Sequence, residues 1–150
     1  MAAVICKNLI ANRANTLDIW LQLEPFFKTN MKEAILSSLA NQSASVRTQI
    51  ASLVSAIAAI EIPRGEWLDL ITNLCNNSGH SEHHIKLASL QTLGFICEEL
   101  EPQDLSNELK NVIIAALTTS INSQEGLSGN GFPATKLAVK ALLHSIPYAA

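Results

Sequence analysis

The sequence predicts an all-α fold, an α-α superhelix of about three helix pairs preceded by a half repeat. Three observations predict it. Residues 85–102 place Ile85, Ser89, Leu93, Ile96 and Leu100 at spacings of three and four, with Lys86 beside the first apolar residue and Pro102 as a stop. That is the pattern of an amphipathic helix with one buried stripe. The pattern then recurs: Val46, Arg47, Ile50, Val54, Ile57 and Pro63 repeat it 39 residues upstream, and Lys136, Leu137, Ala138, Leu143 and Ile146 repeat it 50 residues downstream of Lys86. Finally, hydrophobic residues make up 48% of 150 residues against 15% charged, with a mean hydropathy of +0.22. So apolar a chain fits a slice of a longer stack, whose end faces neighbouring repeats would cover.

Each element follows from its own residues. Residues 1–11 read as the second half of a helix, striped by Val4, Ile5, Leu9 and Ile10. Residues 12–23 are expected to connect, lying against the repeats because Leu17, Ile19, Trp20, Leu21 and Leu23 are too apolar for a solvated linker. Glu24-Pro25 starts the first complete pair, since proline at the first helical position loses no hydrogen bond. Phe26, Phe27, Met31, Ile35, Leu36 and Leu39 are expected on its inner side. Ser43 or Ser45 caps the partner helix, from about 45 to 60, which stops at Pro63. Arg64-Gly65 turns the chain into a helix over 66–76 carrying Trp67, Leu70, Ile71 and Leu74, ended by the polar run 76–79. The stretch 83–100 is its partner. Ser106 or Asn107 then caps a helix bearing Leu109, Val112, Ile113, Ala116, Leu117 and Ile121. Residues 123–131 hold Gly126, Gly129 and Gly131 and absorb the longer spacing to the last copy, which begins near Phe132-Pro133 and ends before Pro147. The resulting division is a half repeat, 1–13, and repeats at about 24–63, 66–102 and 106–147, the period of HEAT or armadillo-type solenoids.

Composition excludes several classes of function. Ten Lys plus Arg against 13 Asp plus Glu give a formal charge of −3, so there is no basic field for a nucleic acid backbone. Residues 1–11 lack the basic start and long apolar run of a secretory signal. The longest candidate span, 50–60, is interrupted by Ser52 and Ser55 and falls short of the roughly 20 residues that cross a bilayer. Cys6, Cys75 and Cys97 are odd in number and lack CxxC spacing, which fits free thiols in a reducing compartment. No nucleophile elbow, P-loop or dinucleotide fingerprint is present, and the Gly-rich loop follows no strand. Neither an enzyme nor a cofactor is expected. His80, His83 and His84 form the one cluster resembling a metal site, but no Cys or carboxylate set completes it, and a solvated helix start is the better reading. Trp20 and Trp67 read as packing residues more readily than as interface anchors, and Cys97 as a small core residue.

Several motifs together resemble one family. Glu61-Ile62-Pro63 with Trp67 four residues on, Leu93-Gly94-Phe95-Ile96-Cys97, the Lys7-Asn8 pair, and Lys136-Leu137-Ala138 with Ala141-Leu142-Leu143 look like the amino-terminal HEAT repeats of importin-beta (karyopherin-beta). The likeness covers essentially the whole chain, in order, from the second half of the family's second repeat through its fifth. Leu68 departs from it, standing where a proline is usual, and so does the long Gly-rich loop. The resemblance implies a nuclear transport receptor fragment, moving between cytoplasm and nucleus through the nuclear pore. Its partners would be the GTPase Ran in its GTP form, on the inner helices, and nucleoporin Phe-Gly repeats, weakly, on the outer ones. Cargo and importin-alpha would engage repeats beyond this chain, and neither nucleic acid nor membrane is implied.

By the same likeness Lys7, Asn8 and Arg13 stand where the family is polar or basic near Ran. A basic side chain there would pair with acidic groups of a GTPase, although helix periodicity alone would also put a solvated Lys7 and a bridging Asn8 at those positions. Thr48, Ser52 and Ser55 on one inner helix, with Gln91, Glu98 and Glu99 on the next, are the side chains a solenoid would show to a partner. Ordinary solvation is their bland alternative. The runner-up function is a HEAT scaffold of another intracellular complex, in which the same repeats would position enzymes.

Overall fold

Apolar residues at helical spacing fold into seven α-helices, with no strand among the described residues. The computed structural model describes residues 13–41, 43–122 and 132–145, the side chains of 13–16 and 132–135 excepted. The helices are α1 (Arg13–Gln22), α2 (Pro25–Ser38), α3 (Ala44–Glu61), α4 (Asp69–Asn77), α5 (His83–Glu99), α6 (Asn107–Asn122) and α7 (Phe132–Ser145). Short 3-10 turns, Ile62–Arg64 and Pro102–Asp104, follow α3 and α5. α3, α5 and α7 pack side by side as one layer of second helices, and each also packs on the helix before it, α2, α4 and α6. The expected all-α stack of helix pairs is what forms.

Several start and stop signals act where the sequence puts them, although Ser43, at the cap position of α3, makes no side-chain capping bond. Pro25 occupies the first turn of α2 behind an extended Glu24. Pro63 ends α3 by drawing the chain into a 3-10 turn, closed by Gly65 at φ 75°, a left-handed conformation that glycine adopts without steric cost. Ser106 Oγ accepts the Leu109 N–H at 3.2 Å, capping α6. Glu101 and Asp104 form a reciprocal capping box across the second 3-10 turn.

The core runs through both layers. Val54 and Ile57 of α3, Leu93 and Ile96 of α5, and Ile113 and Leu117 of α6 have no exposed surface. Each such side chain contributes about 1.5–3 kcal/mol of burial. From Ala51 on α3 is mostly buried, and with the turn after it, Ala44–Arg64, is long and apolar enough by composition to cross a membrane. Packing between α2 and α5 accounts for that composition. Where α5 meets α7, a Cβ on Gly94 would lie 3.4 Å from Ala141 Cβ, so glycine sets how closely the two helices approach.

Four expectations are corrected. Residues 13–22 are helical rather than a connection, because Trp20 has a place to go: it is fully buried, and its Nε1–H donates to Glu61 Oε1 at 3.0 Å. The helix expected from 66 starts at Asp69, since Trp67 is held in the left-handed region at φ 55°. Phe26 is 76% exposed. The buried stripe of α2 is Met31, Ile35 and Leu39, and at 100° per residue Phe26 lies opposite it. Leu143, expected inside with Val54 and Leu93, is 60% exposed. α7 instead buries Ala138, Ala141 and Ser145, and that stripe turns Leu143 away. Lys7, Asn8, Cys6, Ile146 and the Gly-rich loop lie outside the described residues.

One buried charge ties three helices together. Glu61 is 1% exposed; its second carboxylate oxygen accepts from Lys32 Nζ of α2 at 2.8 Å, while Trp20 of α1 holds the first. Lys32 Nζ also sits 5.1 Å from the Trp67 ring centroid. Both tryptophans thus take part in packing, as expected, Trp20 through Glu61 and Trp67 through Lys32, and both oxygens of the buried carboxylate are hydrogen-bonded.

Candidate functional site

The layer of second helices carries a cleft of about 280 Å³ that α3, α5 and α7 line jointly. Leu90 and Gly94 of α5, with Leu137 and Ala141 of α7, make its floor. Two polar couples bridge neighbouring helices at its rim. Gln91 Nε2 of α5 donates to Thr48 Oγ1 of α3 at 3.1 Å, and His144 Nε2 of α7 lies 2.8 Å from Glu98 Oε1 of α5. Phe95 and Lys140 complete the wall. An apolar floor edged by a few convergent polar groups is the arrangement of a contact site. His144 pairs with Glu98, whereas the Thr48 hydroxyl in the cleft bonds Gln91 and not the histidine.

The sequence-derived candidates divide accordingly. Gln91 and Glu98 are brought together on this surface. Ser52 is half-buried on α3, one turn from Thr48. Ser55 does not belong with them: it is 2% exposed, and its hydroxyl donates to the Ser52 carbonyl at 2.8 Å within the same helix. The turn that keeps Val54 and Ile57 in the core carries Ser55 in with them, so its expected exposure is corrected. Arg13 opens α1, and nothing is described of its side chain.

Thr48, expected on the exposed side of its helix, lies in the cleft, whereas Phe95, Lys140 and His144 are absent from the sequence-derived site. The offset of 50 that superposes Lys136 on Lys86 carries Lys140 and His144 onto Leu90 and Gly94, both buried positions. What could have found them is their own spacing, four apart on one helix and off the stripe of Ala138 and Ala141.

The other chemistry-bearing groups have local roles. His80 Nδ1 accepts the Glu82 N–H at 3.0 Å, and His84 Nε2 lies 3.3 Å from Glu82 Oε2. Among the described residues no group of three or more His, Cys, Asp or Glu is placed to hold a metal. Cys97 is 4% exposed in the core, as expected. Burial pushes the Cys75 thiol up to about 11, which keeps it a thiol and a poor nucleophile.

No family model matches the chain. Known proteins do: importin subunit beta-1 of Arabidopsis thaliana is 32% identical over 147 residues, 95% of this chain. Importin subunit beta-1 of Schizosaccharomyces pombe is 33% identical over 130 residues, 83% of this chain. The solved structure of yeast importin-beta (Kap95p) superposes with a TM-score of 0.81 at 28% identity over 98% of this chain. This chain belongs to the importin-beta family. It spans 17% and 15% of those two relatives, and 17% of the Kap95p chain. Two further Kap95p structures match it over 98% of its length: a Kap95:Nup1 complex, TM-score 0.77 at 27% identity and 17% of that chain, and one in which Kap95p binding induces the switch loops of RanGDP to adopt the GTP-bound conformation, TM-score 0.81 at 27% identity and 17% of that chain. The helix pairs of this importin-beta family member are therefore HEAT repeats of the family's solenoid.

Proposed function

We propose that the chain works as part of an importin-beta type nuclear transport receptor in protein import into the nucleus, through recognition of proteins and without chemistry on a substrate. The inner face would be the layer of α3, α5 and α7, and its partner the GTPase Ran in its GTP form. Gln91, Glu98 and Ser52 are the contact residues proposed there, with Lys7, Asn8 and Arg13 toward the amino-terminal edge. The outer helices, α6 among them, would meet nucleoporin Phe-Gly repeats more weakly. Cargo and importin-alpha would bind repeats outside this chain, and the protein would move between cytoplasm and nucleus through the pore.

The observation that carries the reading is the match in order along 95% of the chain to an importin subunit beta-1, joined to a cleft that crosses three second helices. The related Kap95p has been solved with Ran and with Nup1, which supports partners of those two kinds. A pull-down decides it. Ran loaded with GTP should be retained by this chain, or by one extended at both ends, more strongly than Ran loaded with GDP. Equal retention, or none on either chain, would favour a HEAT scaffold of another assembly.

A further inference from the structure

We propose that the groove between the outer helices α2 and α4 seats a tyrosine side chain of an extended, uncharged segment of a protein partner, with its phenol bonded to Ser89. The proposal rests on reading the outer helices as a protein-contact surface.

One polar group sets this groove apart. Ser89 of α5 is 3% exposed. Every other buried hydroxyl among the described residues donates to a carbonyl three or four residues back: Ser55 to Ser52, Ser78 to Cys75, Thr92 to Ala88 and Ser145 to Leu142. Ser89 makes no such bond and has no other partner among the described residues, yet its oxygen is not sealed off. It opens into a groove of about 430 Å³, floored by Leu70 and Leu74 of α4 and Ala88 of α5. A hydroxyl at the foot of an apolar groove is completed by a group that is apolar along its length and polar at its tip.

Depth and charge narrow the occupant. Tyrosine has that shape, and its phenol both donates and accepts. No Asp, Glu, Lys or Arg lines the groove, so a charged side chain entering it would give up water without a counter-charge. Serine or threonine is too short, because its hydroxyl would draw the partner's peptide groups down onto the leucines, where they find no partner. The rim suits a backbone instead. Asn73 and Asn77 of α4 line it, exposed and with carboxamides that make no hydrogen bond among the described residues. One turn apart, they stand about 6 Å from each other along the helix axis, close to the roughly 6.8 Å between alternate peptide groups of an extended chain. A carboxamide donates and accepts, as a peptide group does. Neither serves as a left-handed cap of α4, which ends at Ser78 with a helical φ of −64°.

The test is titration of the full chain, followed by NMR, with two end-capped glycine-serine peptides that differ only in a central tyrosine or phenylalanine. The tyrosine peptide should bind about tenfold more tightly, with shifts at Ser89 and at the Asn73 and Asn77 side-chain amides. Ser89→Ala should remove that preference and leave the phenylalanine peptide's affinity unchanged, and Asn73→Ala should weaken both peptides several-fold. Ser89 has no native bond to lose and Asn73 is exposed, and circular dichroism checks that both variants stay folded. No peptide binding, no preference for tyrosine, a preference that survives Ser89→Ala, or shifts confined to other surfaces would overturn the proposal. So would para-cresol matching the peptide's affinity, which would assign the groove to a small phenol. Tyrosine preference in a chain that does not retain GTP-loaded Ran would uphold the proposal while removing the transport reading. Ran retention with no preference for tyrosine would do the reverse.

Discussion

Trp20 of α1 and Glu61 at the end of α3 share a buried hydrogen bond of 3.0 Å across 41 residues of sequence. It ties the helix α1 to α3. Glu61→Ala would leave both the indole N–H and the Lys32 ammonium without their partner, and a broken buried pair costs about 3–5 kcal/mol. Trp67 would also lose the lysine that sits over its ring. Glu61→Gln keeps the volume and an acceptor for the indole, and should cost less. Urea unfolding of the two variants should rank them in that order, and equal midpoints with the parent would show that the carboxylate is not holding α1.

The two leucines that the repeat pattern superposes, Leu93 and Leu143, should respond oppositely to truncation. Leu93→Ala opens a cavity at a fully buried position and should cost about 2–5 kcal/mol. Leu143→Ala removes a side chain that is 60% exposed and should stay within about 0.5 kcal/mol. Thermal unfolding followed by far-ultraviolet circular dichroism separates the cases. A large loss at Leu143 would mean that α7 is rotated from the orientation described.

What could be foreseen follows from how local each signal is. Proline, glycine and capping serines act within a turn, so the starts of α2 and α6 and the end of α3 lie where Pro25, Ser106 and Pro63 put them. The stripes of α3 and α5 were legible where those helices are central, because periodicity decides burial there; at the start of α3 it failed, since Val46 is exposed and Arg47 buried. α1 was missed because its one anchor, Trp20, bonds a residue 41 positions away. The late start of α4 was missed because nothing in the sequence near Trp67 announces a left-handed backbone. The cleft was half legible: Gln91 and Glu98 follow from the exposed side of α5. Lys140 and His144 do not, because matching α7 to α5 residue by residue ignores the rotation that Ala141 takes up against Gly94.

Gly94 sets that rotation, which gives a graded prediction. Gly94→Ala would place a methyl 3.4 Å from Ala141 Cβ, a tight contact set against the roughly 0.5–1 kcal/mol that alanine gains over glycine inside a helix. The two effects should nearly cancel in stability. Gly94→Val cannot be absorbed this way, and overpacking of this kind costs about 1–3 kcal/mol. It should also push α7 from α5 and break the Glu98–His144 pair at 2.8 Å, read as a change in the chemical shifts of the His144 ring. An unshifted His144 resonance in Gly94→Val would show that the pair does not depend on this close approach.

Cys75 gives a prediction in pH. Burial raises its thiol from 9.0 to about 11, so the folded chain holds this proton more tightly than the unfolded chain does. Its stabilising effect is therefore complete below pH 9.0 and declines as the pH climbs from there toward about 11. Cys75→Ala removes the titrating group, and its stability should fall less steeply than the parent's across that window. The same burial keeps the thiolate scarce and the sulfur covered, so a disulfide reagent at neutral pH should label Cys75 slowly in the native protein and rapidly in denaturant. Mass spectrometry of the labelled peptide identifies the site, and fast native labelling at Cys75 would show that the outer helix α4 opens far more readily than its packing on α5 and α6 implies.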